Sequence, residues 1–152
     1  MKRRLVAAGL LAATPLLAAA QPPGFEYWSA AELQGYAAAL APRVDARNIA
    51  IADRILDRDG YFAAMVHREA GEGTAESHAD WVDIYMVTSG SGTLIVGGTI
   101  PDGAATSPGE YRGSKIEGGT RQRLGAGDIV QIPPARRTTC SSNRANRSPI
   151  SF

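Results

Sequence analysis

Apolar residues are not spread evenly along this chain; they follow three patterns in turn. Leu5 to Ala19 is an almost continuous apolar run, with Thr14 its one polar position and Pro15 breaking any long helix. Met1-Lys2-Arg3-Arg4 precedes the run, and Ala18-Ala19-Ala20 then Gln21-Pro22-Pro23 follow it. A basic start, an apolar middle and a small-residue cleavage site form the pattern of a secretory signal. The run is shorter than the ~20 apolar residues that span a bilayer, and no cysteine follows to carry a lipid. Residues 1–20 are therefore expected to be removed, leaving a periplasmic or secreted protein with no membrane association.

The second period is helical. Ser29-Ala30-Ala31-Glu32 fits a capping box, in which serine accepts from the glutamate amide and the glutamate reaches back. Leu33, Tyr36 and Leu40 follow at helical spacing, and Pro42 predicts a stop near Ala41. A second short turn from Arg43 to Ile49 is weakly marked. From Ile49 the period shortens to that of strands. Tyr61 to Glu69, Val82 to Thr88, Thr93 to Val96, Arg121 to Leu124 and Ile129 to Ile132 read as strands. The segments 57–60, 70–73, 89–92 and 125–128 read as turns or loops between them, and Pro101 to Gly113 as a polar loop. Many short strands with glycine-rich turns and one convincing helix predict an all-β sandwich or barrel. Gly90-Ser91-Gly92 has no helix behind it, so it is read as a hairpin rather than a nucleotide-binding loop.

Charge changes the picture once it is divided. The chain has 16 Lys and Arg against 15 Asp and Glu, for a net +1, and 44% hydrophobic residues. That composition argues against a nucleic-acid partner and against a disordered chain. The two ends carry seven of the bases and no acid. Residues 21–134 hold nine bases against fifteen acids, an acidic body near −6 suited to solubility and cation binding. One cysteine excludes an intrachain disulfide and a cysteine-based zinc cluster.

Residues 76–98, ESHADWVDIYMVTSGSGTLIVGG, resemble the first motif of the cupins: His-x-His, three or four residues, Glu, six residues, Gly. His78 stands on the second His, Asp83 at the Glu position and Gly90 at the Gly. Gly127 and Pro133 match the opening of the second motif, which continues as Gly and then His. The resemblance covers roughly residues 60–134. It implies a cupin-type jelly-roll β-barrel, often a homodimer, whose mouth holds a metal or a small ligand.

The resemblance also implies where a metal would sit, and Glu76 replaces the first His there. Residues i and i+2 of a strand share a face, so Glu76 and His78 can both point inward, with Asp83 joining from the next strand. Two carboxylates and an imidazole suit Mn²⁺, Fe²⁺ or Zn²⁺. Tyr85 is a polar pocket candidate, and His67 is read as structural. The metal-free alternative, a barrel with a polar mouth, stands beside this one.

After Pro134 the motif-two Gly and His are absent, and residues 135–152 read as a basic tail without strand pattern. Read from the third base of each codon, the Pro134–Ala135 junction allows Gly, and the two junctions around Thr138 allow His. The next three are apolar if serine uses TCN codons. The shifted text can read Gly-Pro-Ala-His-His-Leu-Leu-Ile. Residues 135–152 are thus expected to come from a frameshift, leaving the barrel without its closing strands. The organisation expected is a signal at 1–20, a helical preface and first strand at 21–58, a barrel core at 59–134 and an aberrant tail at 135–152. The function expected is small-polar-molecule binding, possible through a divalent metal. The alternatives are a metal-free binding module and an inactive frameshift product.

Overall fold

The computed structural model describes residues 22–45, 50–69, 71, 73–142 and 150–152. The expected signal at 1–20, most of the second helical turn and residues 143–149 of the tail lie outside them.

The helix forms where its cap predicts. Helix α1 spans Ala30–Leu40, and Ser29 and Glu32 exchange both capping-box bonds. Pro42 cannot continue an α-helical ladder, and Ala41–Arg43 tightens into a 3₁₀ turn instead. Leu33, Ala37 and Leu40 recur on one face and pack with Ile51, Met65 and Ile55. The helix thereby covers part of a β-sheet rather than standing alone.

Eleven strands follow among the described residues: β1 Ala50–Arg58, β2 Tyr61–Arg68, β3 Ala75–His78, β4 Asp83–Met86, β5 Ser91–Val96, β6 Ala104–Ser107, β7 Glu110–Gly113, β8 Thr120–Gly125, β9 Ile129–Ile132, β10 Thr138–Ser142 and β11 Ile150–Ser151. All their pairings are antiparallel. One sheet runs β6-β7-β3-β10-β5-β8, a second β1-β2-β11, and β4 pairs with β9. The amides of Thr88 and Ser89 donate to the carbonyl of Ser151, so β11 ties the region after β4 to β2. The result is the all-β architecture of packed antiparallel sheets that the strand texture predicts.

The core lies between these layers. Leu94, Leu124 and Cys140 come from the six-stranded sheet, while Val87, Ile132 and Ile150 come from the opposite side. Gly90 and Gly127 hold φ of +76° and +92° at turns into β5 and β9, a region in which L-residues are strained and glycine is not.

Two expectations are corrected. Pro101 to Gly113 is a hairpin, β6–β7, turned at Gly109 with φ +78°. Its inward side chains are Glu110 and Arg112, so the apolar alternation that marks a half-buried strand is missing. The tail is also not strandless, and closing strands are present. β10 lies between β3 and β5, and Thr138 and Cys140 are 1% and 5% exposed. A central strand bonds on both edges whatever its polarity, and the β-branched threonines suit its pleat. The Thr139 hydroxyl donates to the Gly73 carbonyl at 2.8 Å, so it is buried without losing its partner.

Candidate functional site

The site is built by cross-strand register. β3 pairs with β7 so that Glu76 faces Arg112 and His78 faces Glu110. Directly opposed residues project from the same side of a sheet, within side-chain reach. β10 places Thr138 opposite Glu76 on the other edge of β3. From the facing layer, β4 contributes Asp83 and Tyr85, which also share a face.

The contacts are continuous. The Arg112 guanidinium bonds Glu76 Oε2 and reaches Glu110 Oε2 at 3.4 Å. Glu110 Oε1 lies 2.8 Å from His78 Nδ1, and His78 Nε2 is 3.9 Å from Asp83 Oδ2. The Tyr85 hydroxyl donates toward Glu76 Oε1 at 3.5 Å. Glu76, His78, Asp83 and Glu110 are half-buried, while Arg112 keeps 41% of its side chain exposed.

Environment sets the protonation of two of these groups. Burial pushes the Asp83 carboxyl up, Glu76 and Glu110 add to the rise, and charge on His78 opposes it. Burial pushes the Tyr85 phenol well above its ordinary value, with Glu76 and Asp83 adding to the rise, and a hydrogen bond with Thr138 opposes it. Tyr85 is therefore a neutral hydroxyl here, not a phenolate. Its ring stacks on Phe152 at 4.9 Å between centroids, at the boundary between the polar cluster and the apolar core.

All four residues singled out from the sequence, Glu76, His78, Asp83 and Tyr85, meet in this cluster. Glu110 and Arg112 were missed because their segment was read as loop. The signal available was the i, i+2 repeat of charged residues flanking Tyr111, whose hydroxyl instead donates to the Gly103 carbonyl at 2.8 Å. His67 is a satisfied core histidine: it is buried, 3.0 Å from Ser151 Oγ and 3.1 Å from Glu69 Oε1. A groove of about 360 Å³ near this corner is lined by Ser77, Tyr111 and Arg137 and meets the cluster only through Glu110.

As arranged, the side chains do not fit the divalent metal that the family resemblance implies. His78 Nε2 and Asp83 can offer two donors, but Glu76 is turned onto Arg112 and Glu110 onto His78 Nδ1. No group of three or more potential ligands has metal-binding geometry among the described residues. The cluster can instead accept hydrogen bonds from a polar ligand and donate from Arg112 and Tyr85.

No protein-family profile and no curated protein matches the chain. Among solved structures, it is similar to "DMSP lyase DddQ from Ruegeria pomeroyi DSS-3", with a TM-score of 0.44 and 16% sequence identity. That match covers 72% of this chain and 48% of the other, so the chain spans about half the length of the structure it matches.

Proposed function

We propose that this protein is a small cupin-type barrel, exported by residues 1–20, that binds a small polar molecule at its mouth without a metal. The observation that carries the reading is the convergence of Glu76, His78, Asp83, Glu110 and Arg112 at one end of the sandwich interior, above an apolar core. Three carboxylates against one guanidinium and one imidazole leave the mouth acidic. It favours a neutral or cationic molecule rich in hydrogen-bond donors. In the same reading the mature protein is periplasmic or secreted and pairs as a homodimer, and its partner is a small molecule rather than nucleic acid.

Thermal unfolding against a panel of small amines, polyols and carboxylates tests the site. A ligand held at 100 times its Kd adds ~2.7 kcal/mol to stability. Protection is expected from amines or polyols and is lost in His78→Ala and Glu110→Gln. Equal protection of the wild type and both variants would place binding elsewhere.

A second reading is favoured by Ala135, which holds φ +58°, a left-handed conformation at the position where the second cupin motif has Gly. Thr138, opposite Glu76, occupies the position of the motif's His. In this reading residues 135–152 are the product of a shifted frame and the chain has lost its ancestral chemistry. The DNA decides it: the shifted frame must spell Gly at the Pro134–Ala135 junction and His beside Thr138. Any other residues there overturn it.

A further inference from the structure

We propose that the outer face of these strands carries a second site, a groove that takes a small carboxylate with an apolar ring or chain, seated on Tyr111 and anchored by Arg137. It is independent of the mouth and lies on the opposite side of the same strands.

The groove is a product of register. Tyr111 on β7 stands opposite Ser77 on β3 and opposite Ala105 on β6. Side chains alternate across a strand, so these three project away from Glu76, His78, Glu110 and Arg112. One step beyond the Thr138–Glu76 pair, the antiparallel register of β10 sets Arg137 beside Ser77. The row from Ala105 to Arg137 thus crosses β6, β7, β3 and the start of β10, and with Ala79 and Ala135 it lines a groove of about 360 Å³. That volume falls at the lower end of the range for small-ligand pockets.

Walls and charge set what fits. The Tyr111 hydroxyl donates to the Gly103 carbonyl at 2.8 Å, and its ring packs against Gly103 where a Cβ would have no room, so the ring is held as a fixed wall. The methyls of Ala79, Ala105 and Ala135 leave the space beside it open and apolar. Arg137 is anchored twice to the turn after β5. Its carbonyl accepts from the Gly97 amide at 2.8 Å, and its guanidinium donates to the Gly98 carbonyl at 3.2 Å. No carboxylate pairs with that guanidinium among the described residues, which leaves the rest of its planar fork for a ligand. Glu110 also borders the groove, but its carboxylate is turned inward onto His78 and Arg112.

A cation at one end of an apolar, ring-walled groove complements a carboxylate on an apolar body. The fork takes the two oxygens side by side, and the ring or chain lies on Tyr111. A bare anion forgoes the apolar wall, and an amine meets a like charge at the guanidinium. The acidic mouth repels the same carboxylate, so the two faces of the sheet select opposite charges.

The test is calorimetric titration of the intact chain with benzoate, beside acetate, which lacks the ring, and benzyl alcohol, which lacks the charge. Benzoate is expected to bind one equivalent, about tenfold or more tighter than either, because only it uses both the charge-assisted bond and the apolar wall. Arg137→Met removes the charge and Ala105→Leu fills the groove, and each is expected to weaken benzoate by about tenfold or more. No benzoate binding by the wild type overturns the inference, and so does acetate or benzyl alcohol binding as tightly as benzoate. Benzoate binding that either folded variant keeps at wild-type strength also overturns it; if His78→Ala abolishes that binding, the ligand sits in the mouth instead. If one variant does not fold, judged by circular dichroism, the other is held to the same outcome, and the ligand series on the wild type decides alone if neither folds.

Discussion

Thr138 on β10 stands directly opposite Glu76 on β3, and it is 1% exposed. The pairing brings an uncharged hydroxyl, within reach of Tyr85, to the edge of a cluster already holding three carboxylates. A neutral residue at that place limits the repulsion that the mouth must absorb.

Adding charge there should be costly. Thr138→Glu puts a fourth carboxylate beside Glu76 with no cation to meet it, an uncompensated buried charge worth about 3–5 kcal/mol of stability. Urea midpoints at neutral pH should fall accordingly and recover toward acid pH as the new carboxyl protonates. A midpoint that stays at the wild-type value would show that position 138 does not face the cluster.

Asp83 gives a pH dependence of definite sign. Its native carboxyl is held above the ordinary value near 3.8, mainly by burial. The folded chain therefore binds this proton more tightly than the unfolded chain does. That contribution is fully present below the unfolded pKa and is lost as pH rises through the raised native value. Asp83→Asn, which carries no such titration, should gain in stability relative to wild type as pH rises from acid to neutral. A gap between the two chains that stays constant over that range would contradict the assignment.

Ala135 holds a left-handed backbone at φ +58°. For an L-residue this conformation costs about 1–2 kcal/mol. Ala135→Gly should therefore stabilise the fold by about 1 kcal/mol after the greater freedom of the unfolded glycine chain is subtracted. Ala135→Val, β-branched at the same φ, should destabilise it. Equal midpoints for the three chains would show that the turn is not left-handed.

Leu94 is 1% exposed within the main core, among Leu124, Ile132 and Cys140. Leu94→Ala should cost about 2–5 kcal/mol, the range for truncating a buried leucine. Differential scanning calorimetry would register it as a lower Tm. An effect under about 1 kcal/mol would mean that the core closes over the gap.

How far the sequence could be read followed from how local each signal was. The Ser29–Glu32 capping box spans three residues and appears as predicted. Ile129–Ile132 carries three β-branched apolar residues around Gln131 between turn signals, and it is a strand at those bounds. Glu76 and His78 lie two apart on one strand and share a face, as the strand period requires. Glu110 and Arg112 escaped because their inward face is polar, and a polar face gives no hydrophobic alternation to read.

Sequence alone, then, determined what short-range chemistry controls: a capped helix, a series of short strands, glycine-rich turns, and a His between carboxylates in an acidic body. Tertiary structure decided what depends on partners distant in the chain. It made Thr138–Ser142 a central strand because β3 and β5 offer unpaired backbone on either side, a demand that overrides the polar composition of the segment. It also set Arg112 against Glu76, 36 residues away, because the β3–β7 register fixes which charges face each other. No local pattern encodes that register, and on it depends which charges meet at the mouth.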